Sequence, residues 1–277
     1  MAEKDALREE LARLATLEDE RIDLAGVALT LAALHLETPR LEEAYTHLDE
    51  IVADLAGLAA EAVQPEEKAA ALTEVLAVRW GYAGDDEDYD NLDNGNLIRV
   101  IERRRGLPVA LGILWIHAGR SQGWSIEGLS FPAHFLLRIE DDSGRRVIID
   151  PFHAGRLVDA AGLRELLKTF AGTAAELEPA HYAPVGNRDI LLRLQNNNKL
   201  RLLRGGRLEE ALEIVEEMLL FAPEELLLWR EAGMIHVRLG NTRAAIAALE
   251  QFVARAPNGA MRTRAVMLLR DLRERLH

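Results

Sequence analysis

The segments NGNLIRVIERRRGLPVAL at residues 94–111, FPAHFLLR at 131–138 and VIIDPF at 147–152 decide the fold of this chain. The first segment predicts a short helix over 97–104, with Gly106 in the left-handed position that follows the last turn. A second helix is predicted to begin at Pro108, where the missing N–H of proline costs no hydrogen bond. It runs to Gln122, with Leu111, Leu114, Trp115 and Ala118 on one face.

The two later segments predict a β-hairpin that brings a histidine to an aspartate. Branched and aromatic residues predict strands over 126–131, 134–139 and 146–149, with a turn at 141–144. Pairing about this turn joins residues whose numbers add up to about 284–286, so His134 lies opposite Asp150 or within one residue of it. A carboxylate beside an imidazole fixes its tautomer and raises its basicity. This pair is therefore the first candidate for chemistry.

The flanking regions are mainly helical. Residues 5–80 predict amphipathic helices that form an N-terminal cap, and residues 159–170 predict a further helix. Residues 171–186 contain two prolines and several small residues, which is typical of a linker. We therefore predict two domains, residues 1–175 and residues 187–277.

An internal repeat marks the second domain. Four residues recur 34 positions later: Gly206, Ala211, Ala222 and Pro223 are followed by Gly240, Ala245, Ala256 and Pro257. A helix–turn–helix period of this length is the signature of tetratricopeptide repeats. Two units and a closing helix over 259–276 predict a concave face that binds a protein or peptide, with Asn197 and Asn198 as partner-binding residues. Alternatively, the repeats pack on the core and complete it.

Composition and charge narrow the classes of function. The 33 basic and 46 acidic residues give a net charge of −13, which disfavours binding to a nucleic acid. No apolar run is long enough to span a bilayer, and the first residues lack the pattern of a secretory signal. We therefore expect a cytoplasmic protein without membrane contact. Helices dense in Ala, Leu, Glu and Arg fit a GC-rich bacterial genome.

Two charged segments each allow a functional and a structural interpretation. The acidic segment DDEDYD at 85–90 could bind calcium, but Asn91 and Leu97 stand where the calcium loop needs Gly and Glu. A solvated acidic loop is the preferred interpretation. The basic residues 103–105 could bind an anion, or they could compensate the helix dipole and pair with a neighbouring acidic segment.

The central segments also carry a family pattern. It reads N-x-x-L-x-x-V-I-x-x-R-x-G-L-P-V-x-L from Asn94, G-L-x-F-P-x-H-F-L-L-R from Gly128 and I-D-P-F-x-x-G from Ile149. With these motifs the chain resembles the SirB-type transglutaminase-like family over essentially its whole length. Ala133 stands where the family usually has Gly, and Gly95 where Ser usually follows the Asn. The resemblance implies an α+β fold: a papain-like or transglutaminase-like core with a helical N-terminal cap, and an all-α tetratricopeptide-like tail.

The resemblance also implies residue roles. In active relatives of the superfamily a Cys at the start of the central helix attacks an acyl group, a His deprotonates it and an Asp orients the His. His134 corresponds to the base and Asp150 to the orienting acid, while the place of the nucleophile falls on or near Pro108. The chain contains no cysteine, and residues 106–113 contain no Ser or Thr. Thiol acyl transfer is therefore excluded, and the pattern predicts a pseudoenzyme.

Three interpretations of the His134–Asp150 pair stay open. It could be structural and satisfy buried polar groups, or it could belong to a hydrolase that uses water activated by His134. It could also belong to a cleft that binds a small ligand, with Asn94, Arg104, Pro108, His134, Asp150 and His153 as the predicted ligand-binding residues. His117 and His153 suggest a metal, but a close-spaced ligand motif is missing, so no metal and no cofactor is predicted. The sequence favours a non-catalytic binding or regulatory protein.

Overall fold

The computed structural model describes residues 2–275. Contacts divide these residues into two compact units, one of residues 19–194 and the other of the residues up to 18 and from 195 onward. The closing helix was predicted to reach residue 276, which lies outside the described residues. No helix within 2–275 is both long and apolar enough to cross a membrane.

The unit of residues 19–194 contains a five-stranded antiparallel sheet. Its strands are β3 (Ser125–Leu129), β4 (Leu137–Glu140), β5 (Arg146–Asp150), β6 (Arg156–Leu157) and β7 (Pro184–Val185), after a parallel pair of β1 (Ala83–Gly84) and β2 (Arg105–Gly106). The sheet order is β6-β5-β4-β3-β7. Leu137 pairs with Ile149, so the hairpin has the predicted register. The strand predicted from His134 begins only at Leu137, because residues 132–134 form a turn.

The helices of this unit pack around one another and the sheet. They are α2 (Leu24–Leu34), α3 (Leu41–Ala59), α4 (Pro65–Leu72), α5 (Leu97–Arg103), α6 (Pro108–Ser121) and α7 (Ala160–Ala171); a π-helical stretch (Thr73–Arg79) continues α4. Short 3₁₀ turns occupy Asp19–Arg21, Leu92–Gly95 and Pro179–Tyr182. The bounds of α2, α3 and α4 match the predicted helices, and the side chain of Asp23 caps α2 through the amide of Gly26. The amphipathic pattern predicted for this region does not hold for α2, because all of its residues are buried. The first predicted helix, within residues 5–18, falls in the other unit.

Helix α6 forms the centre of the core. The predicted face of Leu111, Leu114, Trp115 and Ala118 is buried, and so is nearly every other residue of α6. His117 is half-buried, and Arg120 and Ser121 at the C-terminal end are exposed. Gly112 allows the closest approach, since a Cβ there would lie 2.5 Å from the ring of Phe135. A helix that is apolar on all sides is expected at the middle of a core rather than at its surface.

The end of α5 differs from the prediction. Arg104, not Gly106, takes the left-handed conformation after the last turn, with φ of 58°. Gly106 instead belongs to strand β2, where a Cβ would lie 2.9 Å from the side chain of Val100. The glycine is therefore required for close packing. The left-handed residue comes two positions earlier than predicted, and the helix ends at Arg103, one residue before its predicted end.

The segment predicted as a linker is part of the core unit. Pro184 and Val185 form β7 and pair with β3. Asn187 donates from its side-chain amide to the carbonyl oxygen of Asp19 at 3.0 Å, and Asp19 accepts from the amide of Asn187 at 2.6 Å. The compact division lies near residue 194, and this proline-containing segment adds a strand to the unit of residues 19–194.

The other unit is helical. It contains α1 (Ala2–Arg13), the 3₁₀ turn Leu14–Thr16, the C-terminal part of α8 (Asn187–Arg204), α9 (Leu208–Phe221), α10 (Leu226–Arg238), α11 (Thr242–Arg255) and α12 (Ala260–Glu274). Gly206 and Gly240 occupy equivalent interhelical turns with φ of 73° and 76°. Gly233 lets α10 approach α11, because a Cβ there would lie 2.6 Å from Leu249. These paired turns confirm the predicted repeat.

Candidate functional site

The predicted histidine–aspartate pair is formed. His134 lies in the turn before β4, and Asp150 is the last residue of β5. Nε2 of His134 lies 2.9 Å from Oδ1 of Asp150. The Asp150 carboxylate is fully buried, and His134 is almost fully buried. Because the acceptor is a carboxylate, Nε2 carries the proton and Nδ1 is left as the basic nitrogen of the ring.

Asp150 also binds a second histidine and the following backbone. Its Oδ2 lies 2.7 Å from Nδ1 of His153, whose side chain is 41% exposed. Oδ1 accepts from the amides of Phe152 and His153 at 3.1 and 3.4 Å. Burial alone would raise the pKa of the Asp150 carboxyl, but the hydrogen bonds and charges of His134 and His153 outweigh it and lower the pKa.

Aromatic rings and an arginine fix the position of His134. Phe170 stacks on its imidazole with ring centroids 6.2 Å apart, and Phe152 meets it edge-on at 6.0 Å. Arg193 donates hydrogen bonds to the carbonyl oxygens of Phe131 and His134. The preceding residue, Ala133, has φ of 57°, a left-handed conformation in which glycine is less strained. The family's usual glycine at this position therefore has a conformational reason.

The other predicted ligand-binding residues make their hydrogen bonds elsewhere. Asn94 is fully buried. Its Nδ2 donates to the backbone carbonyl oxygen of Asp88 at 2.8 Å, and its Oδ1 accepts from the guanidinium of Arg103 at 2.9 Å. Its carbonyl oxygen accepts from the amide of Leu107 at 2.9 Å, immediately before Pro108 begins α6. Asn94 therefore holds the start of the central helix.

Arg104 belongs to a cluster that the sequence did not predict. Its guanidinium donates to the hydroxyl of Tyr82 and lies 2.7 Å from Nε2 of His47, over the ring of Trp80. Burial and the charge of Arg104 lower the pKa of His47, while burial raises the pKa of Tyr82. The available signal was the position of His47 within the buried stripe of α3.

The charged segments pair with each other. Arg103 forms an ion pair with the buried Asp85 at 3.0 Å, which is the predicted pairing with a neighbouring acidic segment. Arg105 donates to the carbonyl oxygen of Gly81 at 2.9 Å. These contacts join the start of the acidic loop to the end of α5.

The histidine–aspartate pair and His153 together offer three side chains of the types that bind metals. In the described residues, ligand atoms of His134, Asp150 and His153 lie within 4.8 Å of one another. His117 is not in this group; it lies on α6, and burial lowers its pKa. Each imidazole has one nitrogen at hydrogen-bond distance from the carboxylate of Asp150. Hydrogen bonds therefore explain why these three side chains lie together.

The repeats place their polar residues beside an ion pair and exposed apolar side chains. Asn198 donates to Gln195 at 3.0 Å, and Asn197 accepts from Arg201. Lys199 is buried and pairs with Glu231 of α10. Leu200, Leu227 and Met234 are exposed by 45%, 50% and 39%.

Comparison with known proteins agrees with this architecture. Residues 42–196 match the family model described as the transglutaminase-like superfamily, and residues 199–270 match the tetratricopeptide repeat. The fold is thus a transglutaminase-like core followed by helical repeats. The chain belongs to the transglutaminase-like superfamily.

Its relatives include named bacterial proteins. A UPF0162 protein of Vibrio cholerae is 32% identical over 202 residues, which cover 72% of this chain and 74% of the relative. A UPF0162 protein of Xylella fastidiosa is 30% identical over 88% of both chains. Protein SirB1 of Salmonella typhimurium is 25% identical over 84% of this chain and 86% of the relative. The resemblance to SirB-type proteins is confirmed.

Proposed function

We propose that this chain is a non-catalytic transglutaminase-like protein that binds a protein or peptide through its helical repeats. One observation carries the first half of the proposal: the sequence has no cysteine, and Pro108 stands where the family resemblance puts the nucleophile. A proline ring has no group that can attack an acyl carbon. The core therefore retains a base without a nucleophile to activate.

The geometry of the pair supports a structural role for it. Asp150 accepts from two imidazoles and two backbone amides, which satisfies a carboxylate that is removed from water. These hydrogen bonds connect the turn before β4 to the turn after β5. The polar cluster thus stabilises the hairpin without any substrate.

The repeats support the binding half of the proposal. Leu227 and Met234 are seven residues apart on α10, so they lie on one side of the helix, with Glu231 between them. Glu231 pairs with the buried Lys199 of α8. Exposed apolar side chains beside a charged pair are suited to a peptide with apolar anchors, and tetratricopeptide repeats generally mediate protein–protein interaction.

The test compares two matched substitutions in the full chain. Met234→Glu places a charge on the proposed surface, whereas Met267→Glu places the same charge on an exposed methionine of α12. A protein captured by the wild type is purified, and its dissociation constant is measured for each variant. We expect Met234→Glu to weaken binding at least about tenfold and Met267→Glu to leave it unchanged. Equal binding by both variants and by Asn198→Ala would refute the repeat surface.

A hydrolase is the second candidate, since Nδ1 of His134 is left as a basic nitrogen when Nε2 donates to Asp150. A screen with activated esters and amides tests it. Turnover by the wild type that His134→Ala abolishes, with an unchanged circular dichroism spectrum, would establish the hydrolase and overturn the non-catalytic proposal. The domain boundaries of 175 and 187 and the cytoplasmic location stay predictions from the sequence.

A further inference from the structure

A groove of about 560 Å³ lies on the unit of residues 19–194, between the start of α7 and the β4–β5 hairpin. Its apolar lining includes Ile148, Leu163, Leu177 and Tyr182. Leu163 belongs to a buried cluster with Leu129, Leu136 and Leu167, and the other three pack against that cluster. The floor is therefore fixed by the core, and the volume falls in the range of small-molecule sites, about 300–1,000 Å³.

Two arginines of the groove have uncompensated charge. Within the described residues, Arg146 makes no side-chain hydrogen bond or ion pair, and Arg164 donates only to the carbonyl oxygen of Ala160 at 3.3 Å. Both line the groove. The chain has a net charge of −13, so two arginines that lack acidic partners within residues 2–275 and lie beside an apolar floor are suited to an anionic ligand.

The remaining charged groups of the groove already have partners. Arg138 pairs with Glu127 at 2.7 Å and with Glu140 at 3.3 Å. Glu66 pairs with Arg145 at 3.4 Å, and Asp159 caps α7 through the amide of Gly162 at 2.8 Å. The charge offered to a ligand is therefore positive.

We propose that this groove binds a small amphipathic carboxylate. Its apolar chain lies over Ile148, Leu163 and Leu177, and its carboxylate pairs with Arg146 and Arg164. Guanidinium groups bind carboxylates with charge-assisted hydrogen bonds, and the apolar floor removes the chain from water. This site is separate from the residues used by the proposed function, because it needs neither His134 nor the repeats.

Isothermal titration calorimetry of the full chain with octanoate tests the site. 1-Octanol supplies the apolar chain without the charge, and acetate supplies the charge without the chain. We expect saturable binding of one octanoate per chain, with 1-octanol and acetate each at least about tenfold weaker. Absence of saturable octanoate binding, or equal binding of 1-octanol, would overturn the proposal.

Variants locate the binding. Arg146→Ala and Arg164→Ala should each weaken octanoate binding about tenfold, because each removes a charged partner. Arg79→Ala is the matched control: Arg79 is exposed, pairs with Glu74 and does not line the groove, so binding should not change. Octanoate binding that neither groove variant weakens would place the ligand elsewhere and refute the site. His134→Ala and Met234→Glu should bind octanoate normally, which separates this result from the test of the repeat surface.

Discussion

The two compact units use polar and apolar residues in opposite ways. The unit of residues 19–194 buries Asn94, His134 and Asp150 and gives each of them hydrogen-bond partners within the protein. The helical unit instead exposes apolar side chains such as Leu227 and Met234, by 50% and 39%. Buried polar groups with partners specify a fold, whereas exposed apolar groups are available to a partner. In the proposed function, the buried polar residues stabilise the core unit and the helical repeats carry recognition.

The largest expected effect comes from the buried carboxylate. Asp150→Ala leaves Nε2 of His134 and the amide of Phe152 without their acceptor, so we expect the free energy of unfolding to fall by about 3 kcal/mol. Asp141→Ala is the control; this turn residue is part-exposed, and its loss should lower the free energy of unfolding clearly less than Asp150→Ala does. Urea denaturation measures both. If Asp150→Ala lowered the free energy of unfolding by less than about 1 kcal/mol, the structural role of Asp150 would be contradicted, and so would the comparison between the two units.

The second-largest expected effect is a loss of stability of the core at low pH. Burial and Arg104 lower the pKa of His47, and burial lowers that of His117. The unfolded chain binds protons at both residues as the pH falls through about 6.5, whereas the folded chain binds them only at lower pH. The free energy of unfolding should therefore decrease as the pH falls below this value.

His47→Gln removes one of these titrations and should make the pH dependence of the unfolding free energy less steep between about pH 6.5 and 5. Denaturation curves at several pH values measure the slope. The low pKa of Asp150 acts in a separate window: its contribution is present above the carboxyl's unfolded value of about 3.9 and is lost as the pH falls through the folded value. If the unfolding free energy of His47→Gln and that of the wild type had the same pH dependence between about pH 6.5 and 5, the lowered pKa of His47 would be contradicted.

The smallest expected effect is a gain. Ala133→Gly relieves a left-handed alanine, and the relief exceeds the entropy cost of glycine, so stability should rise by about 0.5–1 kcal/mol. Ala53→Gly in the exposed part of α3 has no such strain and should lower stability by about 1 kcal/mol. Thermal unfolding compares the two variants. A loss of stability in Ala133→Gly would show that the turn is not strained.

Local patterns predicted most of the fold. The turn at 141–144 determined the hairpin register, and the spacing of Gly206 and Gly240 determined the repeat. The end of α5 was misplaced because close packing on Val100, which no local pattern reveals, also requires glycine at 106. The short strand at 184–185 was missed because its pairing partner β3 lies far away in sequence.

The candidate site was predictable only in part. The sequence predicted that the hairpin brings His134 to Asp150; His134 reaches the carboxylate from the turn before β4 rather than from the paired strand, and the structure adds His153 to the same carboxylate. Arg104 was selected by the family pattern, but its partners His47 and Tyr82 come from distant helices and loops. Long-range side-chain clusters of this kind depend on tertiary packing, so periodicity along the chain does not indicate them.

The equivalent left-handed glycines at 206 and 240 have a consequence for how this protein can change in length. Each turn starts a helix whose apolar side is covered by the adjacent helices, so a copied segment of one period would find the same surroundings as its template. Duplication or deletion of one period is therefore a short evolutionary step. The repeat array can therefore lengthen by whole modules while the unit of residues 19–194 stays constant.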